Sequence, residues 1–126
     1  MLPDGNSGAR RVFIVEDEAL LVMNLEDMLT ELGHLVTATA TRLDKALSLV
    51  EGSDFDLAVL DINLAGSNTF QVAAILRKRG IPFIFTTGYG VDGLVDGYRG
   101  APLLTKPFGP KELEKMIAQA LSADAT

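Results

Sequence analysis

Short apolar runs alternate along this chain with longer stretches of three- and four-residue periodicity. Val12-Phe13-Ile14-Val15, Leu57-Ala58-Val59-Leu60 and Phe83-Ile84-Phe85 are wholly apolar and bounded by polar residues. Runs of that length predict strands buried on both faces, as in a parallel sheet. Leu35-Val36 and Leu103-Leu104 predict two further strands. Between them lie helical stripes. Leu21, Leu25, Met28, Leu29 and Leu32 form the first, stopped by Gly33. Leu43, Ala46, Leu47 and Val50 form the second, ended by Gly52. Val72, Ile75 and Leu76 form the third, ended by Arg77-Lys78-Arg79-Gly80, cations that suit the negative end of a helix dipole. Leu113, Ile117, Ala120 and Leu121 form the last, opened by Pro110 and Lys111. The stretch Val91 to Gly100 holds Gly93, Gly97 and Gly100, which predicts a fourth helix that is short or poorly ordered.

Strand followed by helix, five times over, predicts an α/β fold with a doubly wound, five-stranded parallel sheet. In the flavodoxin-like order 2-1-3-4-5, ligands bind where the strand order reverses, at the carboxyl ends of strands one and three. A length of 126 residues allows one domain. Residues 1–9, with Pro3, Gly5 and Gly8, read as a flexible leader, residues 10–122 as the domain and 123–126 as a flexible tail.

Charge narrows the partners. The formal net charge is −6, which disfavours nucleic acid. Cysteine is absent, so disulfides, zinc thiolates and thiol chemistry are excluded. No apolar run spans a bilayer and the first residues lack a secretion signal's apolar core, so the cytoplasm is the expected location, without a membrane partner.

The chemistry gathers at one edge of the expected sheet. Strand one ends in Glu16-Asp17-Glu18, strand three in Asp61, strand four in Thr86-Thr87 and strand five in Thr105-Lys106-Pro107. Glu16, Asp17 and Asp61 would converge and repel one another. A hard divalent cation such as Mg²⁺ resolves that repulsion. A carboxylate beside Mg²⁺, a lysine and a hydroxyl suits formation of an aspartyl phosphate. The cation and ammonium would neutralise the moving phosphoryl oxygens, and Thr87 could hydrogen-bond one of them.

These residues, taken in order, resemble the receiver domain of two-component response regulators. The resemblance rests on Glu16-Asp17, Asp61, Thr87 and Lys106-Pro107-Phe108, and covers about residues 11–121. It implies that Asp61 accepts a phosphoryl group from the phosphohistidine of a sensor kinase or phosphotransfer protein. It implies that Asp17 ligates Mg²⁺, that Glu16 helps through water, and that the backbone carbonyl of Asn63 completes the protein's share. Lys106 would pair with the phosphoryl oxygens, and the Lys106–Pro107 peptide would be cis. Thr87 would move toward the phosphate and pass the change to the surface.

Two departures narrow the resemblance. Many receivers carry proline four residues after the acceptor, where this chain has Ala65. Many carry an aromatic three residues before the lysine, where it has Leu103. Pro82-Phe83-Ile84-Phe85-Thr86-Thr87-Gly88-Tyr89 is instead similar to the Pro-Phe-x-Phe-Ala-Thr-Gly-Tyr signature of the FAT GUY receivers, with Thr86 in place of alanine. That similarity implies a single-domain regulator served by an HWE or related histidine kinase. Thr87, Gly88 and Tyr89 become the switch residues, with Tyr89 standing in for the missing aromatic. The resulting reading is a phosphorelay component without a turnover substrate, signalling through an unknown downstream protein or draining phosphate from a shared kinase.

Competing readings fit less well. A phosphatase of the haloacid dehalogenase type needs a second aspartate where Asn63 stands. A vestigial binding module leaves the full acidic set and Lys106 without a purpose. Gly88-Tyr89-Gly90-Val91-Asp92-Gly93 satisfies the dinucleotide pattern, but in the fourth unit and before a weak helix, not in the first turn where that chemistry belongs. His34, after a helix stop, reads as a surface residue.

Overall fold

The computed structural model describes residues 8–88, 97–98 and 100–125. Tyr89 and most of the glycine-rich stretch expected to form a weak helix lie outside those residues. Five parallel strands form the main sheet: β1 (Arg11–Val15), β2 (Leu35–Ala40), β3 (Leu57–Asp61), β6 (Phe83–Thr87) and β7 (Leu103–Thr105). Their order is β2-β1-β3-β6-β7, the expected order once a small hairpin after β3 is set aside. Among the described residues the helices are α1 (Ala19–Glu31), α2 (Leu43–Gly52), α3 (Phe70–Arg79) and α4 (Pro110–Ala125). The last runs through residues 123–125, which the sequence suggested as a tail.

The apolar runs are strands because both sheet faces are covered. Val12, Ile14, Leu57, Val59 and Ile84 point to one side and pack with Leu25, Leu29, Leu113 and Ile117 of α1 and α4. Phe13, Val15, Ala58, Leu60, Phe83 and Phe85 point to the other and pack with Ala46, Val50, Val72 and Leu76 of α2 and α3. A period of two thus alternates between two cores, and the buried polar side chains of these strands, Asp61, Thr86 and Thr87, sit at their carboxyl ends. β2 is one of the two edge strands and is longer than expected, since its outward positions are polar or half-covered. Leu35 at its start is 63% exposed.

Helix ends follow local chemistry. Gly80 closes α3 in a left-handed conformation (φ 72°), and its N–H donates to Arg77 O. At the start of α4, Glu112 reaches back to accept from the Gly109 N–H at 2.9 Å, half of a capping box ahead of Pro110.

A two-residue hairpin loop is the element that periodicity did not announce. β4 (Asn63–Leu64) and β5 (Ser67–Asn68) pair antiparallel around Ala65-Gly66. Both loop residues have positive φ, 51° and 89°, as a type I′ turn requires. Leu64, 1% exposed, pins the hairpin into the core. Proline cannot reach positive φ. The missing proline at position 65 is therefore a consequence of this turn. Ala65→Pro should destabilise the protein by more than about 1 kcal/mol; a urea midpoint equal to wild type would show that the loop has another conformation.

His34 is not the bare surface residue expected. It is half-buried, and its Nδ1 accepts from the Arg10 backbone N–H at 3.0 Å. Burial, then the Arg10 charge, lower its pKa below the usual 6.5, with Glu114 opposing them. The unfolded chain thus takes up the proton first as pH falls. Stability from this group is complete above about 6.5 and is lost as pH drops through the interval down to the folded value. His34→Gln keeps an acceptor but cannot titrate. Its unfolding free energy should fall less than wild type's on going below pH 6.5, measured by urea melts at several pH values.

Candidate functional site

Register brings the site together. Val15 pairs with Leu60, so the next step along β1 and β3 sets Glu16 beside Asp61. Glu16 is in phase with Ile14, and Asp61 with Val59, so both project from the same face. The Glu16 N–H donates to Ala40 O of the edge strand, which fixes the end of β1. Thr87 pairs with Thr105 across β6 and β7, and the Lys106 N–H donates to Thr87 O at 2.8 Å. The Lys106–Pro107 peptide is cis, as the resemblance implied.

The lysine closes the arrangement. Its Nζ donates to Glu16 Oε1 at 3.0 Å and to Asp61 Oδ2 at 3.2 Å. The remaining carboxylate oxygens have backbone donors. Glu18 N–H donates to Glu16 Oε2 at 3.1 Å, and Asn63 N–H to Asp61 Oδ1 at 3.3 Å. Glu16 is 1% exposed and Asp61 6%. Burial of a charge needs such partners.

Electrostatics follow from this geometry. Burial raises the Glu16 carboxyl to about 7, and Asp61's charge adds to that; Lys106 and the Glu18 N–H pull it back. For Lys106, burial works against the charge, but the hydrogen bond to Glu16 and the charges of Asp61 and Glu16 outweigh it. Its pKa lies above that of an ordinary lysine.

Asp17 stands exposed beside this pair. One oxygen each from Glu16, Asp17 and Asp61 falls within a 4.8 Å span. Three carboxyl groups against one ammonium leave negative charge in excess. All-oxygen donors with that excess suit a hard divalent cation. A cleft of about 340 Å³ opens here, lined by Asp17, Asp61, Asn63, Thr87, Gly88 and Lys106 among others. Glu16 does not line this cleft; it reaches the site through its bond to Lys106. Thr87 is buried at the end of β6, and Gly88 is exposed at the rim. Tyr89 is outside the described residues.

Two contributors were not anticipated. Ala65 and Gly66 of the hairpin form part of the cleft wall. Thr69, fully buried, donates through Oγ1 to the carbonyl of Asp61 at 2.8 Å. An Asn-Leu-Ala-Gly-Ser-Asn string carries a faint turn signal in its glycine, but nothing in the sequence singles out Thr69.

Comparison with known proteins agrees with this geometry. Residues 12–118 match the model of the response regulator receiver domain. The transcriptional regulatory protein TcrA of Mycobacterium tuberculosis is 36% identical over 119 residues, covering 86% of this chain and 45% of TcrA. The receiver domain of Erythrobacter litoralis PhyR superposes with a TM-score of 0.79 at 38% identity, covering 92% of each chain. SdrG from Sphingomonas melonis Fr1 gives 0.78 at 38% identity, covering 94% of this chain and 98% of SdrG. The chain spans about half the length of the curated relatives it matches. With a receiver model matched over most of its residues and a carboxylate–lysine crevice at the carboxyl ends of a 2-1-3-4-5 sheet, the chain belongs to the response regulator receiver domain family.

Proposed function

We propose that this receiver takes a phosphoryl group onto Asp61 and signals by the change that follows. The observation that carries the reading is the Lys106 ammonium held between Glu16 and Asp61. The Asp61 carboxylate, which lines the crevice, is the nucleophile. Its attack on the phosphorus of a phosphohistidine forms an acyl phosphate O–P bond as the N–P bond breaks, and the histidine nitrogen keeps the electron pair. Lys106 can then follow the charge from the carboxylate to the phosphoryl oxygens. Asn63 N–H steadies the other carboxylate oxygen. Thr87, at the end of the neighbouring strand, is the hydroxyl that turns toward the phosphoryl group.

Mg²⁺ fits the donor set, with Glu16, Asp17 and Asp61 as the side chains that would hold it and the Asn63 carbonyl as a further ligand. Bound there, it supplies charge neutralisation during transfer. The chain itself is then no turnover enzyme; it gains and loses one phosphoryl group. Its donor is a sensor histidine kinase, of HWE or related type, or a phosphotransfer protein. Leu20 and Met23, 67% and 58% exposed, form an apolar pair on the first turns of α1, the helix that leaves the site. That pair suits a protein surface docking over the crevice. Output passes to a downstream protein in the cytoplasm, or the receiver serves as a phosphate sink. Among the described residues no helix is long and apolar enough to cross a membrane.

Incubation with Mg²⁺ and acetyl phosphate should add one phosphoryl group by mass. Chelation of the metal should abolish the adduct, Asp61→Asn should lose it, and Lys106→Met should slow uptake by roughly 100-fold. An adduct that persists in Asp61→Asn would place the acceptor elsewhere.

A further inference from the structure

Thr69 occupies the first boundary position of α3, where a threonine hydroxyl ordinarily accepts from an N–H of the helix's first turn. Here it makes no such bond. The neighbouring Asn68 takes over that role, its Oδ1 accepting from the Phe70 N–H at 3.1 Å. The Thr69 hydroxyl instead donates to the carbonyl of Asp61 at 2.8 Å. Thr69 is 0% exposed, so its hydroxyl has no water to turn to. Its backbone N–H donates to Ile62 O at 3.1 Å. Two bonds from one residue therefore clamp the main chain of Asp61 and Ile62.

The clamp reaches the reacting group through the backbone. On one side the Ile62 N–H donates to Thr86 O of β6, so β6 holds the segment. On the other, β1 has ended, and the Asp61 carbonyl gains its partner from Thr69. Between the two points the chain makes the β4–β5 hairpin, whose first residue supplies the N–H on Asp61 Oδ1. The clamp thus bears on both the carboxylate's orientation and the hairpin wall of the cleft. We propose that Thr69 is a positioning residue for phosphoryl uptake, acting through the Asp61 carbonyl on the aim of its carboxylate. The inference rests on the functional reading above and adds a residue to it.

Loss of the hydroxyl leaves a buried carbonyl without its donor and frees the loop to drift. In-line transfer is sensitive to displacements of an ångström. The test uses Thr69→Val, Thr69→Ala and Thr69→Ser, with Val72→Ala as a control that weakens the same helix away from the site. Phosphoryl uptake from acetyl phosphate with Mg²⁺ is followed by intact mass, at a temperature where amide NMR shows each variant folded. We expect the Val and Ala variants to be at least 10-fold slower than wild type. Thr69→Ser and Val72→Ala should stay within about threefold of wild type, the first by keeping the donor, the second by sparing the clamp. A folded hydroxyl-free variant that matches the wild-type rate overturns the role. So does a Val72→Ala rate as low as that of Thr69→Val, which would trace the loss to stability alone. Failure of both hydroxyl-free variants to fold would likewise mark Thr69 as structural and overturn it. Absence of uptake by wild type is a separate result, and it overturns the functional reading itself.

Discussion

One ammonium holds two buried carboxylates at the ends of adjacent strands, and the rest of the site is arranged around that fact. Glu16 and Asp61 are side by side because β1 and β3 are neighbours in register. Left alone, two buried like charges at that separation would drive one another to protonate. Lys106 answers from the far side of the sheet, at a sequence distance of 90 residues from Glu16 and 45 from Asp61. The contact exists only when β7 is docked on β6 and β6 on β3. The site is therefore a property of the assembled sheet, spanning β1, β3, β6 and β7. The same geometry leaves room for a divalent cation. A single ammonium faces three carboxyl groups, and the Glu16 carboxyl is raised by its burial and then by the charge of Asp61.

What fixes Asp61 is more local. Beyond Asp61 the chain leaves the sheet and must return to start α3 within a few residues. The hairpin solves this with a turn of positive φ at both loop residues, anchored below by Leu64 and at its end by Thr69. The usual proline and this turn are alternatives, because one backbone cannot have both values of φ at position 65. Ala65, a departure from the family pattern, belongs to a different solution of the same constraint.

Much of this was legible in the sequence, for physical reasons. Strands buried on both faces must be apolar throughout, so Val12–Val15, Leu57–Leu60 and Phe83–Phe85 announced themselves. Polar residues excluded from those strands can only gather at their ends, which named Glu16, Asp17, Asp61, Thr87 and Lys106. β2 was underestimated because an edge strand alternates and carries threonine and alanine, and only Leu35-Val36 rose above that background. The hairpin was missed because two-residue strands have no periodicity to read. Thr69 was missed because its role depends on a carbonyl eight residues away, and propensity assigns a threonine there to capping. The half-burial of His34 is not legible locally because its partner, the Arg10 N–H, lies 24 residues back.

The aliphatic residue ahead of the site lysine has a packing account of its own. Leu103 pairs with Phe85 across β6 and β7. Phe85 is already edge-on to Phe70, Phe83 and Tyr98, with centroids 5.4, 5.3 and 5.7 Å away. Tyr98 stacks on Phe70 at 5.2 Å, and the Arg77 guanidinium lies 4.2 Å over its other neighbourhood, on the Tyr98 ring. Leu103 packs against the same cluster. A fifth ring at 103 would enter a space these four already fill, and overpacking of that kind is itself destabilising. The rings on the α3 side of the sheet, Phe70, Phe83, Phe85 and Tyr98, occupy the ground next to Leu103. Leucine at 103 is thus what this arrangement of rings permits.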